Sequence, residues 1–281
     1  MKTFHSLPTS GLCPYIDRVW GWEGVPGEVV ALPMLLPGTG AELYFHYGEP
    51  FCYQIAGSDL VQAGSDHLFC IRKLPINLLP ARGIGFIAIR FKVGALHRFT
   101  NIPAKYLSDS CFSVSEVWGA SGNAFLQRFS YADDTRERLS LIQDFLLHCL
   151  RQESPDVVIE QALPVLYRQY SVLTIEALSG KLHMGRRQLE RRWLAYFGHT
   201  PKETSGLMRF QHTVRALMLE PSASMACIAL SNGYYDQAHF IHDFQRRTGL
   251  SPRRYMQAAK GKTHFYNTPL RKTGIVCIQN H

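Results

Sequence analysis

The sequence predicts an α+β chain of more than one domain, with a β-rich amino-terminal part followed by an all-α part. Three observations lead there. Short aromatic and β-branched runs, separated by Gly/Pro clusters, occupy roughly the first 130 residues. From residue 155 onward every segment reads as a helix closed by a short turn. Charge divides along the same line: residues 1–153 carry 13 Lys+Arg against 14 Asp+Glu, and residues 154–281 carry 17 against 8. The length of 281 residues and a hydrophobic content of 46% suffice for two packed cores of ordinary size.

In the β-rich part, AELYFHY (41–47), FCYQIAG (51–57) and IGFIAIRF (84–91) are the strand candidates, and LPGTG (36–40) is one of the breaks between them. That spacing suggests a small sandwich or barrel over residues 1–130, giving way to short helices around 94–107 and 122–130. The run DDTRERLSLIQDFLLHCL (133–150) changes period. Leu139, Ile142, Phe145/Leu146 and Cys149/Leu150 step by three or four behind a cap at Asp133 or Asp134, which predicts an amphipathic connecting helix within 131–153. It packs on its own chain or serves a dimer.

The all-α part, residues 154–260, contains a repeat. TIEALSGKLHMGRRQLERRWLAYFGHTPKE (174–203) parallels SMACIALSNGYYDQAHFIHDFQRRTGLSPRR (224–254). Leu178 matches Ile228, Leu189 matches Phe240, Trp193 matches Phe244, Gly198 matches Gly249 and Pro201 matches Pro252. The glycines close helices in the left-handed conformation, and each proline starts the next helix at its first position. Gly233 is a further terminator, and Asp236 is an N-cap or first-turn anion. Between the units, Thr200-Pro-Lys-Glu203 is a capping box that starts a helix reaching about Leu219. Each unit is therefore helix, turn, helix, the signature whose second helix lies in a major groove of DNA. One such match is weak. Two at fixed spacing, over 14 basic and 8 acidic residues in 154–260, form the footprint of a polyanion partner rather than a solvated surface. The tail 261–281 has no clear pattern and is expected to be loose.

Several classes are set aside by what the sequence lacks. No apolar run approaches the ~20 residues of a membrane span, and the start has no apolar core of a signal peptide, so a cytoplasmic protein is expected. The seven cysteines are scattered and form no C-x-x-C pair, which fits a reducing compartment with mostly buried thiols. His5, His46, His67 and His97 are isolated, so no metal and no cofactor is expected. No G-x-S-x-G, P-loop or dinucleotide fingerprint occurs, and no enzymatic activity is expected.

The residues RRQLERRW, FGHTPKE and MRFQHTVRAL, followed by IALSNGYYDQAHFIHDFQRRTGLSPRRY, resemble the DNA-binding domain of AraC/XylS-type transcription regulators. The run IAIRFKVGALHRFTNIPAKYLSD resembles, less specifically, the cupin-like β domain that precedes such modules. The resemblance implies a seven-helix double helix-turn-helix domain behind a cupin-like domain for sensing or dimerisation. It implies a bacterial regulator with two recognition helices in successive major grooves of double-stranded DNA. A small-molecule effector, RNA polymerase and a second copy of the chain are candidate partners. Departures are Gly185 where the family has a serine N-cap, Trp193 at a Phe-like position, and FKVG at 91–94 where relatives have a Pro-Gly pair. The rival readings are a cupin-like enzyme and an architectural DNA-binding protein without effector control.

In the first recognition helix, about 186–197, Leu189 and Trp193 face inward. Arg186, Arg187, Gln188, Glu190 and Arg191 lie on or beside the outer face. By position the family's base-reading sites fall on Arg187, Glu190 and Arg191. Arginine grips guanine O6/N7, and glutamate accepts from cytosine N4 or instead pairs with a neighbouring arginine. Arg186 and Arg192 contact phosphate or only solvent. In the second helix Phe240 and Phe244 are core, and Asp236, Gln237, Ala238, His239 and His242 are the candidate DNA-facing set. Gln237 suits adenine and Ala238 a thymine methyl, while the two histidines read bases or are ordinary surface residues. Trp20, Trp22, Tyr44, His46 and Tyr53 are candidates for a ligand pocket in the β domain, or its plain core.

Overall fold

In the computed structural model, which describes residues 2–25, 27–153, 156–259 and 276–279, the amino-terminal half is built on strands. These are β1 (Lys2–Ser6), β2 (Ile16–Glu23), β3 (Val29–Val30), β4 (Met34–Leu35), β5 (Glu42–His46), β6 (Cys52–Ile55), β7 (Leu60–Gln62), β8 (Asp66–Phe69), β9 (Ile76–Leu78), β10 (Ala81–Arg82), β11 (Gly85–Phe91), β12 (Cys111–Phe112) and β13 (Val276–Gln279). Seven of them form one sheet in the order β12-β8-β5-β11-β2-β1-β13, and four form a second in the order β4-β9-β6-β7. All ladders between these strands are antiparallel.

Both faces of the large sheet are covered, which explains why β5 and β11 are buried along their whole length. Alternate side chains leave for opposite sides. Leu43 and Phe45 of β5, with Ile87 and Ile89 of β11, join Leu139, Ile142 and Phe145 of the helical layer in one cluster. Tyr44, Phe86 and Ala88, with Trp20 and Trp22 of β2, face the second sheet and join Tyr53 and Ile76 in another. Buried charge is paired, as it must be at this depth: Glu42 accepts from Arg90 and from Arg72, the latter at 3.2 Å.

The helical layer is α1 (Val114–Ser130) and α2 (Thr135–Cys149). Sequence reading placed a short helix only at 122–130. The helix begins earlier because Ser113 and Glu116 form a capping box, and Gly119, at φ 54°, breaks it in the middle. Over 94–107 only two 3-10 turns form, Ala95–Arg98 and Ala104–Tyr106. Helix α2, capped by Asp134, lays its apolar face into the amino-terminal core. The cysteines depart from expectation: of the described ones only Cys70 is buried, while Cys13 and Cys227 are exposed and none is bridged. Cys52, Cys111 and Cys149 are half-buried. Of the tail, residues 276–279 pair with β1, and the rest of 261–281 lies outside the described residues.

The second half holds α3 (Val157–Gln169), α4 (Ile175–Lys181), α5 (Arg186–Phe197), α6 (Pro201–Leu219), α7 (Met225–Ser231), α8 (Gln237–Thr248) and α9 (Pro252–Ala259). They make two cores. One gathers Leu178, Leu189, Trp193 and Phe197 around Met208. The other gathers Ile228, Phe240, Phe244 and Tyr255 around Phe210. Helix α6 contributes to both and is the shared spine.

The two halves are docked. Leu36, from the loop after β4, is fully buried in the core of the second helical unit. Gln211 of α6 accepts from the Thr39 hydroxyl at 2.9 Å. Ser108 shares a 2.9 Å hydrogen bond with His199, and Lys73 pairs with Glu203 at 2.9 Å. Gly94 sits at φ +73° with its α-carbon against the second half: a Cβ there would lie 2.6 Å from the Phe197 ring. Within FKVG, Gly94 is thus required by a close approach.

Candidate nucleic-acid interface

Helix α4 is capped by Thr174, whose hydroxyl accepts from the Ala177 amide at 3.1 Å. The chain turns through His183 at φ 50° and enters α5 behind Gly185, which offers no side-chain cap. Leu189, Trp193, Tyr196 and Phe197 fix one face of α5 in the core. Arg187, Gln188 and Arg191 are exposed on the other face. Arg186 is exposed as well, and its guanidinium bridges Glu176 at 2.5 Å and Glu190 at 3.0 Å. Of the two readings of Glu190, the isolated chain adopts the ion pair. Arg192 is held by Asp156, with contacts of 2.8 and 2.6 Å. It therefore faces the scaffold and not open solvent.

The second unit repeats the plan with different chemistry. Gly233, at φ +83°, passes so close to Ser171 that a Cβ would lie 2.7 Å from its side chain. Asp236 is the N-cap of α8, its carboxylate accepting from the His239 amide at 2.7 Å. Gly185 leaves the first-turn N–H groups of α5 without a side-chain acceptor, whereas the Asp236 carboxylate takes that place on α8. Gln237, Ala238, His239 and His242 are exposed on one side of α8, opposite the buried Phe240 and Phe244. Gly198 and Gly249, matched in the repeat, close α5 and α8 at φ 69° and 73°. Pro201 and Pro252 start α6 and α9.

Sequence reasoning missed two features beside these faces. Tyr235 is 86% exposed at the start of α8, where two consecutive aromatics after a glycine were the only sign. Asp243 is buried on the core side of α8, three residues from Phe240.

The five pocket candidates of the β domain are all buried. Trp20 packs edge-on against Trp22 at 5.4 Å and Tyr44 at 5.9 Å. Tyr53 meets Phe69 at 4.9 Å, and His46 stacks on His67 at 5.2 Å. Trp20 Nε1 and both ring nitrogens of His46 and His67 have no hydrogen-bond partner among the described residues. Burial lowers the pKa of His46 to about 4. A cavity of about 500 Å³ lies between the halves, lined by Tyr15, Asp17 and Arg90 from one side and Leu163, Tyr167 and Arg215 from the other. Glu42 and Asp17 hold Arg90 there. Arg215 has no ion pair or hydrogen bond with a described residue. Among the described residues no cluster of three metal-binding side chains occurs, and no helix is long and apolar enough to cross a membrane.

Residues 178–258, from α4 through α9, match the family model of a helix-turn-helix domain. No curated protein matches the chain. Among solved structures it is similar to ToxT from Vibrio cholerae O395, with a TM-score of 0.49 at 10% identity over 86% of this chain and 98% of that one. It is similar to the C-terminal domain of AraT, a response regulator from Geobacillus stearothermophilus, with a TM-score of 0.35 at 21% identity over 37% and 88%. It is also similar to the DNA-binding domain of AdpA, a global transcriptional factor solved with a target DNA, with a TM-score of 0.35 at 20% identity over 38% and 96%. Over residues 178–258, from α4 through α9, the chain carries a helix-turn-helix domain.

Proposed function

We propose that the protein regulates transcription by reading DNA with two helices, α5 and α8, set into successive major grooves. One observation carries this reading: both helices bury one face in separate cores joined by α6 and leave the opposite face exposed and polar. Successive grooves on one side of straight B-DNA lie about 34 Å apart, so two helices held by one spine address two short blocks of sequence. Arg187 and Arg191 grip guanine edges from α5, with Gln188 beside them. Glu190 exchanges Arg186 for cytosine, which frees Arg186 for phosphate. From α8, Gln237 reads adenine, Ala238 meets a thymine methyl, and His239 and His242 complete the surface behind the Asp236 cap. Selection of bound sequences from a random duplex pool, at ~150 mM salt to suppress phosphate-only binding, tests this. Two enriched blocks about one helical turn apart support it; sequence-indifferent binding with a steep salt slope returns the architectural reading.

Control enters through the amino-terminal half. The cavity between the halves supports an effector that bears on both, because its wall joins residues of the β domain to residues of α3 and α6. A largely apolar lining with an unpaired guanidinium suits an organic anion. The unpartnered nitrogens of Trp20, His46 and His67 favour a second seat inside the β domain. Binding of a carboxylate library, followed by thermal shift in Arg215→Gln and His46→Phe variants, separates the two seats.

A further inference from the structure

The repeat aligns Arg192 with Asp243, 51 residues apart, as it aligns Leu189 with Phe240 and Trp193 with Phe244. The two residues carry opposite charge, yet each ties its recognition helix to the scaffold. Arg192 donates through Nε and Nη2 to the two carboxylate oxygens of Asp156, at 2.8 and 2.6 Å. Asp156 is also the N-cap of α3, accepting from the Ile159 amide at 3.1 Å. The pair therefore bolts the middle of α5 to the first turn of α3.

Asp243 has a side chain only 4% exposed. A carboxylate that deep is tolerated only if its charge and lone pairs are met. Here they are. Tyr234, in the turn before α8, donates its hydroxyl at 2.8 Å. Arg247 donates Nε to both oxygens at 3.0 Å, and Arg246 is the third partner, donating from the surface. Two of these partners reach α6. Arg209 of α6 lies over the Tyr234 ring at 4.7 Å, and Arg247 lies over the Phe210 ring of α6 at 5.4 Å. Asp243 is thus the hub joining α8, its preceding turn and the spine.

We propose that Arg192 and Asp243 are the positioning residues of the two reading helices, each setting the attitude of its own helix independently of the other. This rests on the DNA-reading assignment above. Neither side chain lies on the exposed reading face of its helix. Their networks share no residue, one closing on α3 and the other on α6, so perturbing one leaves the other intact.

The test uses the full chain and sequence selection from a random duplex pool, paired with hydrogen exchange. Asp243→Asn keeps the shape but turns one acceptor into a donor facing Arg247. The expected result is loss of base preference in the α8 block, by about tenfold in relative affinity, with the α5 block unchanged and exchange accelerated in 237–248 only. Arg192→Gln gives the converse, a blurred α5 block and faster exchange in 186–197. Equal weakening of both blocks in either variant, or no change in both, overturns the proposal, since a general loss of stability does not discriminate between blocks. If Asp243→Asn does not fold, Tyr234→Phe, which keeps the ring under Arg209 and removes one donor, carries the same discrimination. A wild-type pool with no enriched sequence overturns the DNA-reading assignment itself, and the exchange pattern then reports separately whether each anchor acts on one helix alone.

Discussion

The indole Nε1 of Trp193 donates to Thr204 Oγ1 at 3.0 Å, and both side chains are buried. The same hydroxyl donates onward to the Thr200 carbonyl at 3.0 Å, one turn back in α6. This chain of two bonds fastens α5 to the start of the spine. Replacing Thr204 by Val keeps the volume and orphans the indole N–H. A buried donor left without a partner costs about 1–3 kcal/mol. Urea denaturation of Thr204→Val should show a loss of that size. An unchanged midpoint would mean that water reaches the indole and that the bond contributes little.

Arg187 is exposed on α5, and no ion pair or hydrogen bond ties it to a described residue. It is therefore available to a base edge. Arg187→Ala should weaken binding to the selected sequence by about 1–3 kcal/mol and relax preference at one position of the α5 block, with folding untouched. Competition binding against single-base variants measures both effects. Unaltered affinity and unaltered base preference would remove Arg187 from the reading set.

Acid should loosen the molecule through buried histidines. Burial lowers the pKa of His46, His97 and His199 to about 4 each, from 6.5. Lys73 near His199 and Arg151 near His97 act in the same direction. A depressed pKa means that the unfolded chain binds protons first as pH falls. The stability these neutral rings allow is complete above about pH 6.5 and is lost progressively toward pH 4. The slope is up to about 1.4 kcal/mol per pH unit for each ring while it lasts. Urea midpoints should fall between pH 7 and pH 5. A flat or rising midpoint over that range would show that these rings are solvated. Because His199 contacts Ser108 and His97 contacts Tyr196 at 4.8 Å, the contact between the halves should loosen first.

What the sequence disclosed, it disclosed through local signals. Helix α5 at Arg186–Phe197 and the spine ending at Leu219 lie where sequence reading put them. Glycine, proline and capping-box residues act within a few positions of themselves, so their meaning survives without tertiary context. The strands over 41–47 and 84–91 were legible for a related reason: covered on both faces, they read as continuous aromatic and aliphatic runs, whereas β6 within 51–57 buries only Tyr53 and was legible from its aromatic and aliphatic residues. The start of α1 was missed because Gly119, at φ 54°, interrupts the helical pattern that Ser113 opens. The cavity was not legible at all. Its wall brings together residues as distant as Asp17, Arg90 and Arg215, and no spacing along the chain encodes that meeting. Asp243 lay between the two. Its step of three from Phe240 marked an inward position, but its charge argued for the surface, and only Tyr234 and Arg247 in space reconcile them.

Arg215 should be worth more to a ligand than to the empty protein. It lines the cavity between the halves and lacks an ion pair with any described residue. Its charge also opposes its neighbours: burial first, and then Arg215 and Arg90, bring the pKa of Arg18 down to about 10 despite the attraction of Asp17. Like charges brought together around a mostly apolar space destabilise it until an anion enters. Arg215→Gln removes one of them without removing a bond. The free protein should then gain stability, on the order of 1 kcal/mol as for other relieved charge clusters, and melt higher in thermal denaturation. If the proposed organic anion binds there, the variant should also lose the stabilisation that the anion gives the wild type, because binding to the folded state raises stability only through the contacts the anion makes there. A variant that melts lower would assign Arg215 to holding the two halves together instead. A variant that melts higher but keeps the full response to the anion would move the effector's seat to the interior of the β domain.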